Sequence, residues 1–291
     1  MPKNKLPVYS LSHFNEIQKG SDFYINNFVL HLKEFHFVNT PHKHDFFLVI
    51  LFTKGSGIHE IDFVKYHIKP NSIFFLAPGQ SHSWKLSEDI DGYVFFHSQA
   101  FYDLNYTSQK LSQLPFYASI YNKPVLQLKG ANQLKVIPLF EEILLEYNSE
   151  KEMKYEKICA LVNIIYIELS RLYGSKTEAI AAPQNYLFKL KLLEELIEKN
   201  YASVKSPKLY AAMMHMSEKH LNRICKLCLN KTTTDLIADR VIIEAKRILA
   251  HHDHSIREVS EILGFDDIAY FSRFFKKRTA LTPLAFINKY R

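Results

Sequence analysis

Ile256–Pro283, IREVSEILGFDDIAYFSRFFKKRTALTP, predicts two helices joined by a tight turn. Ser255 and Glu258 have the spacing of a capping box, in which each side chain bonds the backbone of the other residue at the start of a helix. Gly264 ends this first helix, because glycine adopts the left-handed backbone conformation without a steric penalty. The stretch therefore predicts a helix-turn-helix motif.

The second helix of this stretch has a buried side and an exposed side. Asp266 or Asp267 caps its start, and Phe271, Phe274 and Phe275 are expected to face inward. The opposite side carries small and polar residues followed by cations, namely Ala269, Ser272, Arg273, Lys276 and Lys277. A helix that enters the major groove of DNA needs this division, with hydrogen-bonding residues for bases and cations for phosphates.

Written as I-x-x-V-x-x-x-L-G-F-x-D-x-x-Y-F-S-R-x-F-K-K-x-x-x-x-T-P, the same stretch resembles the signature of AraC-type transcription regulators. Ala280 departs from this signature, because the family usually has glycine there. Alanine in a left-handed cap costs about 1 kcal/mol. We therefore expect the loop before Leu281 to have a different shape.

Positive charge is concentrated in the last third of the chain. Among 291 residues, 37 lysines and arginines against 30 aspartates and glutamates give a net charge of +7. Residues 1–183 carry 18 charges of each sign, whereas residues 184–291 carry 19 basic and 12 acidic side chains. A basic domain joined to a neutral one is typical of proteins that bind nucleic acid.

Length and composition indicate a globular protein with two domains. The first residues lack the apolar core of a signal peptide, and the longest apolar run, Phe46–Phe52, is too short to cross a bilayer. Cys159, Cys225 and Cys228 do not form a disulfide framework, and the Cys225/Cys228 pair lacks the second pair that a zinc site would need. We therefore expect a cytoplasmic protein with no membrane partner.

Short apolar runs separated by turn residues predict a β-rich domain between about residues 21 and 105. The segments PHKHDFFLVILFTKGSG and KPNSIFFLAPGQSHSW resemble the cupin-like β-barrel that many AraC-type regulators carry as a sensor domain. The matching features are His42-x-His44, Gly55-x-Gly57, Pro70-Asn71 and Pro78-Gly79-Gln80-x-His82. The resemblance implies an effector-binding pocket inside this barrel.

Side chains two residues apart on a strand share a face, which selects the candidates for this pocket. The candidate effector-binding residues are His42, His44, Phe46, His82 and Trp84. The three histidines match ligands of metal-binding cupins, but the glutamate ligand of those proteins falls near Leu48 or Val49. Three imidazoles can hold zinc without a carboxylate, so a metal site, an effector pocket and a barrel without a ligand all stay open. We expect an effector pocket with no metal and no cofactor.

Helical periodicity follows the barrel from about residue 133 to residue 173. The second helix has a wide apolar stripe, including Ile164 and Ile167, which can cover the barrel and also meet a second subunit. The resemblance implies dimerisation through such helices, while the simpler interpretation is that they only complete the sensor core. Residues 174–185, GSKTEAIAAPQN, indicate a linker.

Another helix-turn-helix motif precedes the one described above. Ser206-Pro207 begins one helix, and Ser217 caps the next, SEKHLNRICKLCL, which resembles the Ser-x-x-x-Leu-x-Arg motif of AraC-type proteins. Asn230 follows where the family favours glycine, and asparagine tolerates the left-handed conformation. Thr232–Ala250 predicts a long helix that joins the two motifs.

The two recognition helices supply the candidate DNA contacts. These residues are Ser217, Lys219, Asn222, Arg223, Lys226, Ile268, Ala269, Ser272, Arg273, Lys276 and Lys277. Arginine, asparagine and serine suit base edges, lysines suit phosphates, and Ile268 and Ala269 suit thymine methyl groups. If the two helices are parallel, they can enter successive major-groove segments about 10 bp apart.

The sequence thus predicts a two-domain α+β protein. Residues 1–173 form a cupin-like β-barrel followed by helices, and residues 186–291 form an all-α domain with two helix-turn-helix motifs. We expect a transcription regulator that binds promoter DNA, is modulated by a small molecule, forms a homodimer and contacts RNA polymerase when it activates. The alternatives are a regulator whose barrel is only structural and a metal-dependent cupin enzyme fused to a DNA-binding domain; no catalytic residue is expected.

Overall fold

The computed structural model describes residues 7–14, 22–36, 40–106, 110–174, 183–251 and 254–290. The chain divides into two compact units, Pro7–Glu178 and Ala179–Arg291. Most of the expected linker, residues 174–185, lies outside the described residues.

The first unit is rich in β-strands and ends in two long helices. Its strands are β1 (Val8–Tyr9), β2 (Phe23–Asn27), β3 (Lys43–His44), β4 (Phe47–Lys54), β5 (Gly57–Ile61), β6 (Val64–Ile68), β7 (Ser72–Leu76), β8 (His82–Leu86), β9 (Asp91–His97) and β10 (Val125–Gln127). Its helices are α1 (Phe28–Glu34), α2 (Gln99–Asn105), α3 (Ala131–Tyr147) and α4 (Lys154–Gly174). The expected order of a β-rich domain followed by helices is therefore confirmed.

The strands form a five-stranded sheet in the order β10-β7-β4-β9-β2, a three-stranded sheet in the order β6-β5-β8, and a parallel pair of β1 with β3. Neighbouring strands within the two larger sheets are antiparallel. Within the described residues these ladders stay separate, so the strands do not close into one continuous barrel. An isolated bridge between His42 and His82 connects the chain before β3 to β8.

The central strand β4 is apolar on both faces, because both faces of its sheet are covered. Phe47, Val49 and Leu51 pack in the core that includes α3 and α4. Leu48, Ile50 and Phe52 pack on the opposite side, with side chains of the three-stranded sheet. This explains why β4 reads as a continuous apolar run instead of an alternating one.

The second unit is all-helical among its described residues. Its helices are α5 (Gln184–Asn200), α6 (Pro207–Met213), α7 (Glu218–Leu229), α8 (Thr233–His251), α9 (Ile256–Ile262), α10 (Ile268–Thr279) and α11 (Pro283–Tyr290). The pairs α6–α7 and α9–α10 are the two helix-turn-helix motifs, and α8 lies between them in the chain and packs against both.

A buried arginine on α8 fixes the position of α5. The Arg240 side chain is only 8% exposed, and its guanidinium forms two hydrogen bonds with the Glu198 carboxylate of α5 and one with Glu244. It also lies 3.9 Å from the centroid of the Tyr201 ring. Glu198 raises the pKa of Arg240, outweighing the effect of burial, so the guanidinium stays charged.

The prediction that the loop after α10 has a different shape is wrong. Ala280 adopts the left-handed conformation, with φ 62° and ψ −1°, and its N–H bonds the Lys276 carbonyl at 2.9 Å. Neighbouring contacts hold this turn, because the Thr279 hydroxyl bonds the Phe275 carbonyl at 2.8 Å and the Leu281 N–H at 3.2 Å. The turn therefore keeps its left-handed conformation with alanine, at the energetic cost that this conformation has for a residue with a Cβ atom.

Replacing Ala280 by glycine is expected to raise the free energy of unfolding by about 1 kcal/mol, since glycine removes the left-handed penalty. Urea unfolding followed by circular dichroism measures the change. Ala269→Gly, the same substitution in a right-handed helix, is the matched control and should lower stability. A lower stability of Ala280→Gly would show that the alanine methyl group contributes more by packing than it costs in strain.

Candidate DNA-binding surface and candidate effector site

The first recognition helix, α7, is positioned by its cap and by a buried back. The Ser217 hydroxyl accepts the His220 N–H at 3.2 Å, and Leu221, Ile224, Cys225 and Cys228 are buried. Asn230 ends the helix at φ 53°, which confirms the left-handed conformation expected there.

The second recognition helix, α10, is reached through a turn that requires glycine. Ser255 and Glu258 form the predicted capping box of α9, and Gly264 has φ +67°. A Cβ at Gly264 would lie 2.0 Å from the Ala202 carbonyl oxygen, so close approach as well as backbone angle excludes other residues. The Lys205 ammonium donates to the carbonyls of Ala202 and Gly264 at 2.9 and 3.1 Å, which fastens this turn to the α5–α6 connection.

Asp267 caps α10, as one of the two predicted aspartates, with its carboxylate accepting the Tyr270 N–H at 2.7 Å. Phe271 and Phe275 are fully buried, whereas Phe274 is only half-buried against Phe265. The expectation that all three phenylalanines face the core therefore holds for two of them.

Most of the predicted DNA contacts lie on the exposed sides of α7 and α10. Exposed residues are Ser217, Lys219, Arg223, Lys226, Ile268, Ala269, Arg273, Lys276 and Lys277, while Asn222 and Ser272 are half-buried. The side chains of Arg273, Lys276 and Lys277 form no hydrogen bond or ion pair with any described residue. These three cations are thus available to an anionic partner.

Besides Ser217, whose hydroxyl caps α7, two further predicted contacts are engaged within the protein. The Asn222 side-chain oxygen accepts the Thr233 N–H at 3.1 Å, which helps to start α8. The Arg223 guanidinium donates through Nη2 to the Tyr186 hydroxyl and to His220 Nδ1, each at 2.9 Å. The two recognition helices therefore present their equivalent arginines differently.

A cluster of buried histidines occupies the space between the sheets of the first unit. His42, His44, His59 and His82 are each at most 3% exposed. The ring of His82 lies 4.2 Å from that of His42, 5.1 Å from that of His44 and 5.1 Å from that of Trp84, measured between centroids. Phe46 stacks on His44 at 4.6 Å, so the structure brings together all five predicted effector residues.

The hydrogen bonds of this cluster define which ring nitrogens carry protons. The Nδ1 atoms of His42 and His44 lie 2.8 and 2.7 Å from the carbonyls of Thr40 and Phe46, so Nδ1 is the donor and Nε2 is the bare acceptor. His59 Nε2 and His82 Nδ1 lie 3.0 Å apart, so one of these two nitrogens carries the hydrogen and donates it to the other.

Four buried nitrogens of the cluster have no partner among the described residues: His44 Nε2, His59 Nδ1, His82 Nε2 and Trp84 Nε1. Trp84 Nε1 is a donor and His44 Nε2 an acceptor. Whichever histidine donates in the His59–His82 bond, one of the two remaining atoms is a donor and the other an acceptor. The site therefore presents two donors and two acceptors and carries no net charge.

Comparison with known protein families accounts for both units. Residues 30–99 match the AraC-like ligand binding domain, and residues 210–289 match a helix-turn-helix domain. The chain belongs to the AraC family of transcription regulators. It is 22% identical over 254 residues to the transcriptional activator RhaR of Escherichia coli, an alignment that covers 84% of this chain and 86% of RhaR.

The matches of this AraC-type regulator to further proteins also span most of the chain. RhaR of Yersinia pseudotuberculosis is 18% identical over 244 residues, covering 83% of this chain and 82% of that protein. A crystal structure of ToxT from Vibrio cholerae with bound unsaturated fatty acid is 13% identical, with a TM-score of 0.46, and covers 92% of this chain and 95% of ToxT. No described helix is long and apolar enough to cross a membrane.

Sequence reasoning missed His59, although strand pairing could have found it. His59 lies opposite Trp84 in the β5–β8 ladder, and it shares a face with Ile61, which is opposite His82. Alternation within GIHEI therefore places His59 inward once the pairing is known. Tyr186 and His220, which hold Arg223, carried no comparable signal, because Tyr186 is 37 residues away from its partner.

Burial keeps these histidines of the AraC-type regulator neutral. Loss of hydration lowers the pKa of His42 to about 4 and that of His44 and His59 to about 3, and holds the pKa of His82 well below its usual value. No group of three or more histidine, cysteine or acidic side chains within the described residues is placed to hold a metal ion.

The stability of the first unit is expected to fall as pH drops from 7.5 to 5. The buried histidines are neutral in the folded protein, whereas in the unfolded chain they bind protons below about pH 6.5, so acid favours unfolding. Each such histidine steepens the fall by up to about 1.4 kcal/mol per pH unit. Thermal melting at a series of pH values measures the trend.

The control for this prediction compares one buried and one exposed histidine. His82→Gln should flatten the pH dependence of the melting temperature, while His67→Gln, at an exposed position of β6, should leave it unchanged. Equal slopes in both variants and the wild type would mean that His82 binds protons as readily in the folded protein as in the unfolded chain.

Proposed function

We propose that this AraC-type regulator reads promoter DNA through the exposed faces of α7 and α10. The observation that carries the proposal is the exposed row of Arg273, Lys276 and Lys277, which no described side chain neutralises. Exposed cations without an ion-pair partner favour phosphates and base edges as partners. The concentration of the net positive charge in residues 184–291 supports the same assignment.

Within this surface, the residues divide by the chemistry of their contacts. Arg273 and Ser272 are proposed to face base edges, and Lys276 and Lys277, one turn later, to face phosphates. Ile268 is 40% exposed despite its apolar side chain, which suits contact with a thymine methyl group. On α7, Arg223 is the proposed base contact, with Lys219 and Lys226 facing the backbone, whereas the bond from Asn222 to Thr233 makes that side chain a weaker candidate.

We further propose that the histidine cluster binds the effector through His44, His59, His82 and Trp84, with Phe46 and His42 beside them. Two hydrogen-bond donors and two acceptors without net charge suit an uncharged molecule that both donates and accepts hydrogen bonds. An anion would be repelled by the lone pairs of two unprotonated imidazole nitrogens. Protonation of these rings would remove the repulsion, but burial opposes it.

The proposal includes a homodimer formed through α3 and α4. Their outer sides expose apolar side chains, Leu134, Leu145, Ile164 and Ile167, although the opposite sides are buried in the core. RNA polymerase is the proposed further partner where the regulator activates. Catalysis is not part of the proposal, because the curated relatives are transcriptional activators. The proposed binding of promoter DNA supports a location in the cytoplasm.

Arg273→Ala is expected to weaken binding to the cognate promoter by about 5- to 150-fold, corresponding to about 1–3 kcal/mol, and to blur preference at one base pair. Fluorescence anisotropy with a set of singly substituted sites measures both effects. Lys85→Ala, which removes one exposed charge from β8 in the first unit, is the matched control and should change affinity little. Equal weakening on all sequences would make Arg273 a phosphate contact.

A compound that binds the histidine cluster is expected to raise the melting temperature and to change the fluorescence of Trp84, the only tryptophan. His44→Phe, which keeps the stacking ring but removes the Nε2 acceptor, should weaken the binding of that compound by about 5- to 150-fold. His67→Phe, at an exposed site, should leave it unchanged. If no uncharged polar compound shifts either signal while the protein still binds promoter DNA, the first unit acts as a structural domain.

A further inference from the structure

The guanidinium of Arg223 is held between two side chains of its own domain. Nη2 donates to the hydroxyl of Tyr186, in the first turn of α5, and to Nδ1 of His220, one turn earlier on α7, each at 2.9 Å. Arginine cannot accept a hydrogen bond, so both partners act as acceptors. The Tyr186 and His220 rings meet edge to face at 5.7 Å, which fixes the two acceptors relative to each other.

These two bonds use the nitrogen that matters most for base recognition. A guanidinium offers two bidentate edges, one formed by Nη1 with Nη2 and the other by Nε with Nη2. Because Nη2 belongs to both edges and has only two hydrogens, its bonds to Tyr186 and His220 occupy both edges. A bidentate contact of Arg223 with the O6 and N7 atoms of guanine therefore requires that one of these bonds be given up.

The second recognition helix has no such restraint. Arg273 is exposed and forms no side-chain hydrogen bond or ion pair with any residue that the structure describes. The two arginines occupy equivalent positions of similar motifs, 50 residues apart in the chain. The difference between them comes from His220 and from Tyr186, which belongs to α5 and has no counterpart beside Arg273 among the described contacts.

We propose that Tyr186 determines the base selectivity of the first recognition helix, because its hydroxyl competes with DNA bases for the Arg223 guanidinium. The inference rests on the proposed function, in which Arg223 faces base edges. The phenol lowers the binding free energy that Arg223 gains from a guanine at that position. The contact with the base replaces the hydrogen bond between Arg223 and Tyr186, so only the difference between the two bonds is gained. Tyr186 thus acts through Arg223 as a positioning residue and makes the first motif the more permissive reader.

The test is a double-mutant cycle between Tyr186 and Arg223 in the full-length protein. Tyr186→Phe removes only the hydroxyl and should tighten binding to the best site by about 2- to 10-fold, the range of one net hydrogen bond. It should also sharpen preference at the base pair that Arg223→Ala blurs, and leave the positions read by α10 unchanged. In the Arg223→Ala background, Tyr186→Phe should have no effect.

Two results would overturn the inference. If Arg223→Ala weakens binding while Tyr186→Phe binds more weakly or without change, the hydroxyl orients the guanidinium instead of competing for it. No loss in Arg223→Ala would remove the base contact itself and so contradict the proposed function on α7. His220→Ala, which frees the other hydrogen of Nη2, gives the same readout should Tyr186→Phe not fold, as judged by its melting temperature.

Discussion

The ion pairs of the buried Arg240 with Glu198 and Glu244 fix the helical unit around α8. A buried guanidinium is tolerated only when carboxylates satisfy it, and here the Glu198 side chain reaches it from an exposed position while Glu244 is largely buried. This requirement gives α5 one position against α8, because Glu198 must reach Arg240 while Tyr201 lies over the guanidinium. The start of α5, with Tyr186, is thereby brought to α7.

The same helix constrains the second motif through a different contact. Arg278, in the last turn of α10, bonds the Asp235 carboxylate of α8 at 2.8 Å, and Asp235 also accepts the Thr232 N–H at the start of α8. The Thr232 hydroxyl, which donates to Asp235 at 2.6 Å, lowers the pKa of Asp235 most, and together with the bonds from Arg278 and the Thr232 N–H it holds this pKa well below its usual range. Of the cations that end α10, Arg278 therefore belongs to the scaffold, while Lys276 and Lys277 point away from it and stay exposed.

How much the sequence could predict depends on the range of each interaction. Caps such as Ser255 with Glu258, and left-handed positions such as Gly264, act over three or four residues and are visible in the sequence. The left-handed conformation of Ala280 was not visible in the sequence, because Thr279 and the following helix impose it against the local preference of alanine. His59 and Tyr186 depend on strand pairing and helix packing between distant segments, which no local spacing encodes.

Both candidate sites follow one physical rule, that polar groups are useful to a ligand only where the protein leaves them unsatisfied. In the histidine cluster, backbone carbonyls take the Nδ1 protons of His42 and His44, and so fix the remaining nitrogens as acceptors. On α10 the scaffold leaves Arg273 without a side-chain partner among the described residues, whereas on α7 it occupies Arg223. When an exposed arginine contacts a base it gives up only bonds to water, whereas an engaged arginine also gives up a bond within the protein. The two helices, alike in sequence pattern, are thus expected to contribute unequally to recognition, with α10 supplying more of the discrimination.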